Sequence, residues 1–266
     1  MSVKDNIKQV HRYYKYLLHS NSRFKIHSPF VFQFVEEVLK DKVVYPEYKQ
    51  IETYKKNLSK SHTIIETVDF GKKTGDKQYS TYLYPLGKLV KKRSQTKRKG
   101  RLLYKISHYF KPANILEFGT AVGISSCYIK TPLPDSKMIT MEGCASLSDI
   151  AYSTFKKLNL SNIKISTGDF EATLPKVLKD FETLDMVFFD GNHHKKPTID
   201  YFNRCVKLAN DKSVFIFDDI HWSKGMEEAW EYIINDKRVT ISIDLFHLGL
   251  VFFRKGTVKQ DFIIRY

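Results

Sequence analysis

The stretch Asn114–Ser126, which reads NILEFGTAVGISS, restricts the fold more than any other part of the chain. It opens with a short apolar run, Ile115–Phe118, that ends at a glycine-rich turn, as a buried parallel strand does. Gly119 and Gly123 bracket the turn, where glycine allows positive φ angles and a close approach of the backbone to a ligand. Ser125 lies in the first turn of the helix expected next, among free N–H groups. The stretch therefore predicts an open α/β sheet with a nucleotide-like ligand at this turn.

The spacing within the turn distinguishes between ligands. A dinucleotide fingerprint needs a middle glycine so that the backbone can reach a pyrophosphate, and this chain has Ala121 there, which counts against NAD. Glu117 stands two residues before the first glycine, and Glu142 ends the next apolar run. A carboxylate at the tip of a second strand is placed to accept both hydroxyls of a ribose, at about 1.5–3 kcal/mol for each hydrogen bond.

The pattern E-x-G-x-x-x-G-x-S, followed by a strand-end Glu, resembles class I S-adenosylmethionine-dependent methyltransferases. It is most similar to the branch that includes catechol and caffeoyl-CoA O-methyltransferases, and the segments HSPFVF, EGC, DGNHHK and FIFDDIHWS also resemble uncharacterised bacterial methyltransferases. The resemblance implies an enzyme with a Rossmann-like α/β sheet of seven strands, the last antiparallel, and S-adenosylmethionine as cofactor. The implied cofactor-binding residues are Glu117, Gly119, Thr120, Gly123, Ser125, Glu142, Gly143, Asp169, Phe170 and Asp190. An ordinary strand-to-helix turn without a cofactor is the alternative.

Two of these residues follow the third strand of the predicted sheet. In the methyltransferases that the chain resembles, an acidic residue at this strand end contacts the adenine amino group. Asp169 occupies that position in this chain. Phe170 is then a stacking surface for the adenine.

Three aspartates follow the next two apolar runs. MVFFD ends at Asp190, and SVFIFDD ends at Asp218 and Asp219. Oxygen ligands at neighbouring strand ends suit Mg²⁺ or Ca²⁺. The resemblance implies a divalent cation held by Asp190 and Asp218, whereas Asp219 stands where that branch has Asn. A metal site and a helix-capping role for Asp218 or Asp219 both stay open.

His193 lies three residues after Asp190, where the catechol branch has a proton-accepting lysine. A histidine accepts a proton readily at neutral pH, so His193 and Asp190 are the candidate catalytic residues. Hydrogen bonding within the loop is the alternative role for His193. His221 and Trp222 come directly after the aspartate pair and are candidate substrate contacts, with His221 also a candidate ligand or second base.

The formal net charge of +15 is concentrated in the first part of the chain. Residues 1–110 hold 24 Lys and Arg against 9 Asp and Glu, whereas residues 111–266 hold 20 of each. This contrast predicts a basic, mainly helical N-terminal region at 1–110 and a methyltransferase domain at 111–266. Helical periodicity over residues 3–19 puts Val10, Tyr14, Leu17 and Leu18 on one apolar side.

The basic region favours a small, anionic acceptor for O-methylation. The alternatives are a methyltransferase that modifies RNA, and a module that binds S-adenosylmethionine without catalysis. Cys127, Cys144 and Cys205 are scattered, which argues against a disulfide framework and a zinc site. The charged N-terminus and the lack of a long apolar run predict a cytoplasmic protein without a membrane partner. The oligomeric state stays open.

Overall fold

The computed structural model of the protein describes residues 3–20, 26–69 and 80–266. These residues form two compact units. The central unit comprises residues 40–181, and the terminal unit combines residues 1–39 with residues 182–266. These limits differ from the division at residue 110 that the charge pattern predicts, which stays a prediction. No helix within the described ranges has the length and apolar character needed to cross a membrane.

The helices are, in chain order, α1 (Val3–His19), α2 (Pro29–Phe34, continued by a π-helical turn at Val35–Leu39), α3 (Glu47–Leu58), α4 (Leu86–Arg93), α5 (Lys97–Phe110), α6 (Ile124–Lys130), α7 (Ala145–Lys157), α8 (Phe170–Leu178), α9 (Lys195–Cys205) and α10 (Lys224–Ile234). The strands are β1 (Ile64–Asp69), β2 (Ser80–Pro85), β3 (Asn114–Phe118), β4 (Lys137–Glu142), β5 (Ile163–Thr167), β6 (Leu184–Phe189), β7 (Ala209–Asp218), β8 (Ile241–Asp244), β9 (Leu248–Phe252) and β10 (Gln260–Ile263).

In the central unit, the apolar runs around the glycine turn form parallel strands, as the sequence predicts. Strand β4 pairs with β3 on one side and with β5 on the other, with Leu116 opposite Ile139 and Ile139 opposite Lys164. Ile115 and Leu116 are fully buried, because helices connect the strands and cover the sheet. An antiparallel hairpin of β1 and β2 joins this unit, and the sequence analysis missed it.

The main sheet has eight strands, so the prediction of seven was wrong. In the terminal unit the strand order is β10-β8-β9-β7-β6. The predicted antiparallel hairpin is present, since β9 runs antiparallel to both β7 and β8. The additional strand is β10, which pairs parallel to β8. It covers backbone N–H and C=O groups that would otherwise lie unpaired along the outer side of β8.

Helix α1 leaves most of its apolar side exposed. Val10, Tyr14 and Leu18 are 69%, 60% and 64% exposed. Tyr16 is buried instead, and its hydroxyl donates a hydrogen bond to the backbone oxygen of Ile264. A tyrosine can bury its ring and satisfy its hydroxyl at once, so it replaces an aliphatic side chain at this contact.

Lys130, the last residue of α6, is a buried lysine that ties the helix end to the loop before β4. Its ammonium group donates to the backbone oxygens of Leu133 at 2.8 Å, Pro134 at 2.9 Å and Ser136 at 2.5 Å. Burial lowers the pKa of Lys130 to about 8, against the opposing effect of Asp135.

We expect Lys130→Met to lower the free energy of unfolding by about 2–4 kcal/mol, because several buried carbonyl groups lose their donor. Chemical denaturation of the purified variant measures this change. Lys157→Met, at the exposed end of α7, is the matched control and should change the value by less than about 0.5 kcal/mol. Equal effects of the two substitutions would contradict the structural role of Lys130.

Candidate active site

The turn between β3 and α6 has an unusual backbone. Gly119, Ala121 and Gly123 have φ angles of 92°, 46° and 81°. The N–H groups of Gly119 and Thr120 both donate to the backbone oxygen of Met141, at 3.0 and 3.1 Å, so the turn is attached to the end of β4. Ala121 adopts the left-handed region despite its side chain, at a cost of about 1–2 kcal/mol. Strain of this kind is concentrated at functional sites.

Gly123 is required by packing as well as by its backbone conformation. A Cβ atom at this position would lie 2.6 Å from Cε1 of Phe155 on α7. The first turn of α6 follows directly, and its Ser125 is buried. The glycine turn and the start of α6 are therefore present where the sequence predicts them.

Glu142 joins the glycine turn to the turn that follows β4. Its Oε2 accepts a hydrogen bond from the N–H of Ala121 at 2.8 Å, and its Oε1 accepts one from the N–H of Cys144 at 2.9 Å. The carboxyl group is buried, next to Gly143. Burial raises the pKa of Glu142, while the backbone donors of Cys144, Ala121 and Gly143 and the charge of Arg93 act against this shift. A carboxylate offers about four acceptor positions in all, so Glu142 can also accept a ligand hydroxyl.

Glu117 lies fully buried in β3, and hydroxyl groups hold one of its oxygens. Its Oε2 accepts hydrogen bonds from Ser126 and, at 2.6 Å, from Thr140. Thr120 shares a further hydrogen bond of 2.6 Å with Thr140. The Oε1 atom of Glu117 has no hydrogen-bond partner within the described part of the chain. Burial raises the pKa of Glu117, and an unsatisfied buried oxygen of this kind is a candidate contact for a bound ligand.

The two residues predicted to meet adenine lie at the start of α8. Asp169 is exposed, and its Oδ1 caps the helix by accepting from the N–H groups of Glu171 at 2.9 Å and Ala172 at 3.1 Å. The Phe170 ring packs edge-on against Phe118, with their centroids 5.7 Å apart. The carboxylate of Asp169 thus has a local structural role, and its contact with a cofactor stays a prediction.

The residues that sequence reasoning missed in the central unit are the partners of the two glutamates. Thr140 and Ser126 reach Glu117 through strand pairing and through the turn of α6, which single-sequence patterns do not reveal. Arg93 on α4 acts on Glu142 by its charge and donates to the Tyr82 hydroxyl at 3.1 Å.

In the terminal unit, the predicted catalytic residues lie together after β6. The Nε2 atom of His193 is 3.7 Å from Oδ1 of Asp190, and the two side chains are 31% and 13% exposed. Asn192 between them has a φ angle of 55°, which bends the loop so that the two side chains approach each other. A partly exposed imidazole beside a carboxylate is a suitable arrangement for a general base.

The predicted metal ligands do not form a metal site in the structure. No group of three or more His, Cys, Asp or Glu side chains in the described ranges could hold a metal ion. Asp218 is buried as the last residue of β7, opposite Leu248. Asp219 has a φ angle of 53°, and its N–H donates to the backbone oxygen of His247. The binding of a cation by Asp190, Asp218 and Asp219 stays a prediction.

His221, a predicted substrate contact, has both ring nitrogens engaged. Its Nε2 is 2.8 Å from Oδ2 of Asp244, and its Nδ1 is 3.2 Å from Oε1 of Glu227. The imidazole also stacks on Phe246, with a centroid distance of 5.2 Å. Burial lowers the pKa of His221, but Asp244 and Glu227 outweigh it and the net shift is upward. The geometry fits a charged structural histidine, whereas the neighbouring Trp222 is 46% exposed and accessible to a ligand.

We expect His221 to make the stability of the protein depend on pH. Because its pKa is higher in the folded state, its stabilising contribution is complete below pH 6.5, the ordinary value, and is lost as the pH rises through the folded-state pKa. His221→Gln should therefore lower the melting temperature more at pH 6 than at pH 8. His62→Gln, which alters an exposed histidine, is the control. A loss that does not change with pH would contradict this account.

Comparisons with known proteins agree with the geometry of the central unit. Residues 116–220 match a family described as a methyltransferase domain. A catechol O-methyltransferase of Niastella koreensis is 26% identical over 130 residues, which is 48% of this chain and 58% of the relative, less than two thirds of its length.

Two solved structures share the fold. The O-methyltransferase TomG of Streptomyces achromogenes, in complex with S-adenosylmethionine, has a TM-score of 0.54 at 23% identity. The aligned region covers 61% of this chain and 82% of the TomG chain. An O-methyltransferase of Bacillus cereus, in complex with S-adenosylhomocysteine, has a TM-score of 0.54 at 20% identity, with coverages of 84% and 97%. The chain thus contains a segment, residues 116–220, that matches a methyltransferase domain, and its fold is similar to the folds of solved O-methyltransferases.

Proposed function

We propose that this protein transfers the methyl group of S-adenosylmethionine to an oxygen atom of a small acceptor. The observation that carries the proposal is Glu142, which is buried at the end of β4 and accepts backbone hydrogen bonds on both of its oxygens. Glu117 supports it, because its orphaned Oε1 fits a cofactor that brings a donor to a buried carboxylate. The matched family and the O-methyltransferase relatives agree with this proposal.

In this proposal, Glu142 holds the ribose hydroxyls, while Glu117 and the N–H groups at the start of α6 hold the methionyl part of the cofactor. S-adenosylmethionine supplies an electrophilic methyl group on a sulfonium sulfur. His193 removes the proton from the acceptor hydroxyl, and Asp190 beside Nε2 orients the imidazole. The acceptor oxygen forms the new bond to carbon as the carbon–sulfur bond breaks, and the sulfur keeps the electron pair. Positioning of the two reactants supplies most of the rate, about 7–11 kcal/mol.

No step of this mechanism is routed through a metal ion, because Asp190, Asp218 and Asp219 do not gather into a site. The proton transfer is assigned to His193 alone. A dependence of the rate on Mg²⁺ would show that this assignment is incomplete.

We extend the proposal to an anionic acceptor. The basic excess of residues 1–110 supports it, and on α4 Lys88, Lys91 and Lys92 are exposed. The α5 lysine Lys97 is already paired with Glu52, at 2.9 Å. We therefore assign the attraction of the acceptor to the lysines of α4 rather than to Lys97.

Methyl transfer is tested with labelled S-adenosylmethionine and a panel of catechol, caffeate and caffeoyl-CoA. We expect label to appear on at least one acceptor, with the charged members preferred over catechol. Binding of S-adenosylhomocysteine by folded protein without transfer to any member would favour the non-catalytic module instead.

A further inference from the structure

Helix α1 carries an exposed row of apolar side chains, which we call the α1 stripe: Val10, Tyr14 and Leu18. The three residues are four positions apart, so they lie one above the other on one face of the helix. They are 69%, 60% and 64% exposed. Single exposed apolar residues are common in proteins, whereas contiguous apolar patches on a surface are typical of interaction sites.

The α1 stripe is exposed because the other side of the helix is firmly attached. Arg12 Nε donates to Glu227 at 3.0 Å, and the Tyr16 hydroxyl donates to the backbone of Ile264. The Tyr13 ring packs edge-on against Phe246, with a centroid distance of 4.9 Å. Turning the stripe inward would break all of these contacts, so the docked helix presents the stripe to the solvent.

Basic residues border the α1 stripe. Lys8, His11 and Lys15 are exposed on the side of the helix next to it. Apolar side chains with a tyrosine, adjoined by lysines, are the composition of helices that lie in the plane of an anionic membrane surface. The tyrosine suits the depth of the lipid headgroups, where its ring is in an apolar layer and its hydroxyl is in water.

We propose that α1 docks the protein onto an anionic phospholipid surface, with the α1 stripe entering the headgroup layer and Lys8 and Lys15 facing the lipid phosphates. The net charge of +15, summed over the whole chain, attracts the protein to an anionic membrane surface. The binding is peripheral and reversible, and it does not depend on the proposed methyl transfer.

Two other occupants of the stripe are less suitable. A second copy of the chain would bury far less than the roughly 800 Å² per partner of a standard interface if it contacted only three side chains. Two copies related by a twofold axis would also bring their lysines together. A nucleic acid would match the lysines, but it would leave the apolar row without a favourable partner.

The sequence predicts no membrane partner, and the exposure of the α1 stripe is the reason to revise this prediction. The apolar pattern of residues 3–19 places these side chains on one side of the helix, but it does not say whether that side faces the protein. Their actual orientation follows from tertiary contacts of Arg12 and Tyr16, which the pattern does not contain.

The experiment is flotation of the full chain with vesicles of phosphatidylcholine alone, or with about 30% phosphatidylserine, at low and high salt. We expect binding only to the anionic vesicles, and loss of most of it at high salt. The triple variant Val10→Ser, Tyr14→Ser, Leu18→Ser should bind at least about tenfold more weakly. The double variant Lys8→Gln, Lys15→Gln should bind the anionic vesicles about fivefold more weakly for each lysine replaced.

Matched controls distinguish membrane binding by the α1 stripe from non-specific hydrophobic or electrostatic binding elsewhere on the protein. Val43→Ser, Val44→Ser, Leu83→Ser changes three side chains that are 57%, 71% and 72% exposed elsewhere. Lys88→Gln, Lys91→Gln removes the same charge from α4. Both should bind within about twofold of the original chain, and thermal unfolding confirms that all variants are folded.

Three outcomes would overturn the proposal. The first is failure of the original chain to float with anionic vesicles at low salt. The second is equal binding by the stripe variant and its control. The third is a stable dimer in sedimentation that becomes monomeric only in the stripe variant, because a second copy would then be the occupant.

Discussion

Replacing Glu142 by glutamine is expected to weaken the binding of S-adenosylhomocysteine by at least about 100-fold. The carboxylate accepts from Ala121 and Cys144 on opposite oxygens and, in the proposal, accepts the ribose hydroxyls as well. A glutamine has one acceptor oxygen, and its NH₂ group would face one of the two backbone N–H groups. The substitution therefore removes a ligand contact and loosens the turn that carries the ligand.

Isothermal titration calorimetry of the purified variant measures this loss. Asp149→Asn is the matched control, because Asp149 is an exposed acidic residue on α7 in the same unit. It should leave the affinity within about twofold, since a single exposed charge is worth little. Binding by the Glu142 variant that equals the control would remove Glu142 from the cofactor site.

Replacing His193 by glutamine is expected to lower kcat by about 10²–10⁴-fold, with little change in the affinity for S-adenosylhomocysteine. Glutamine cannot take the proton of the acceptor hydroxyl, although it can keep a polar contact near Asp190. The neighbouring His194→Gln is the control, because His194 is exposed.

The rates are measured under saturating S-adenosylmethionine with whichever panel acceptor is turned over. A His193 variant as fast as the His194 variant would show that another group, or no group, removes the proton. Loss of cofactor affinity in parallel with the rate would instead indicate a structural role for the loop.

The local part of the site could be predicted from sequence because it depends on neighbours along the chain. The strand at Ile115–Phe118, the positive φ angles of Gly119 and Gly123 and the strand-end position of Glu142 all follow from short patterns. The reversed β9 hairpin follows from the shortness of its connection.

The remainder depends on contacts between distant segments. One hydroxyl group on Glu117 comes from Thr140, which lies 23 residues away on β4, and no pattern around Glu117 contains it. The two partners of His221, Asp244 and Glu227, are likewise distant from it along the chain, and its role as a substrate contact stays a prediction. The predicted metal site stays a prediction: the described residues contain no group of three or more His, Cys, Asp or Glu side chains that could hold a metal ion, because neighbouring strand ends do not ensure that their carboxylates converge.

Helix α1 illustrates the same limit for packing. Its apolar residues were the natural candidates for the buried side, but Tyr16 provides the contact and satisfies its hydroxyl at the same time. Arg12 is bound by Glu227, which also contacts His221. Side chains with an apolar body and a polar tip can thus decide an orientation that hydropathy alone assigns differently.

The central claim is that the turn between β3 and α6 holds S-adenosylmethionine and not a dinucleotide. Its most direct test is parallel calorimetric titration of the full chain with S-adenosylhomocysteine and with NAD. The account predicts micromolar, one-to-one binding of S-adenosylhomocysteine and none of NAD, because Ala121 replaces the glycine that a pyrophosphate needs. Folded protein that binds NAD, or that binds neither compound, would contradict it.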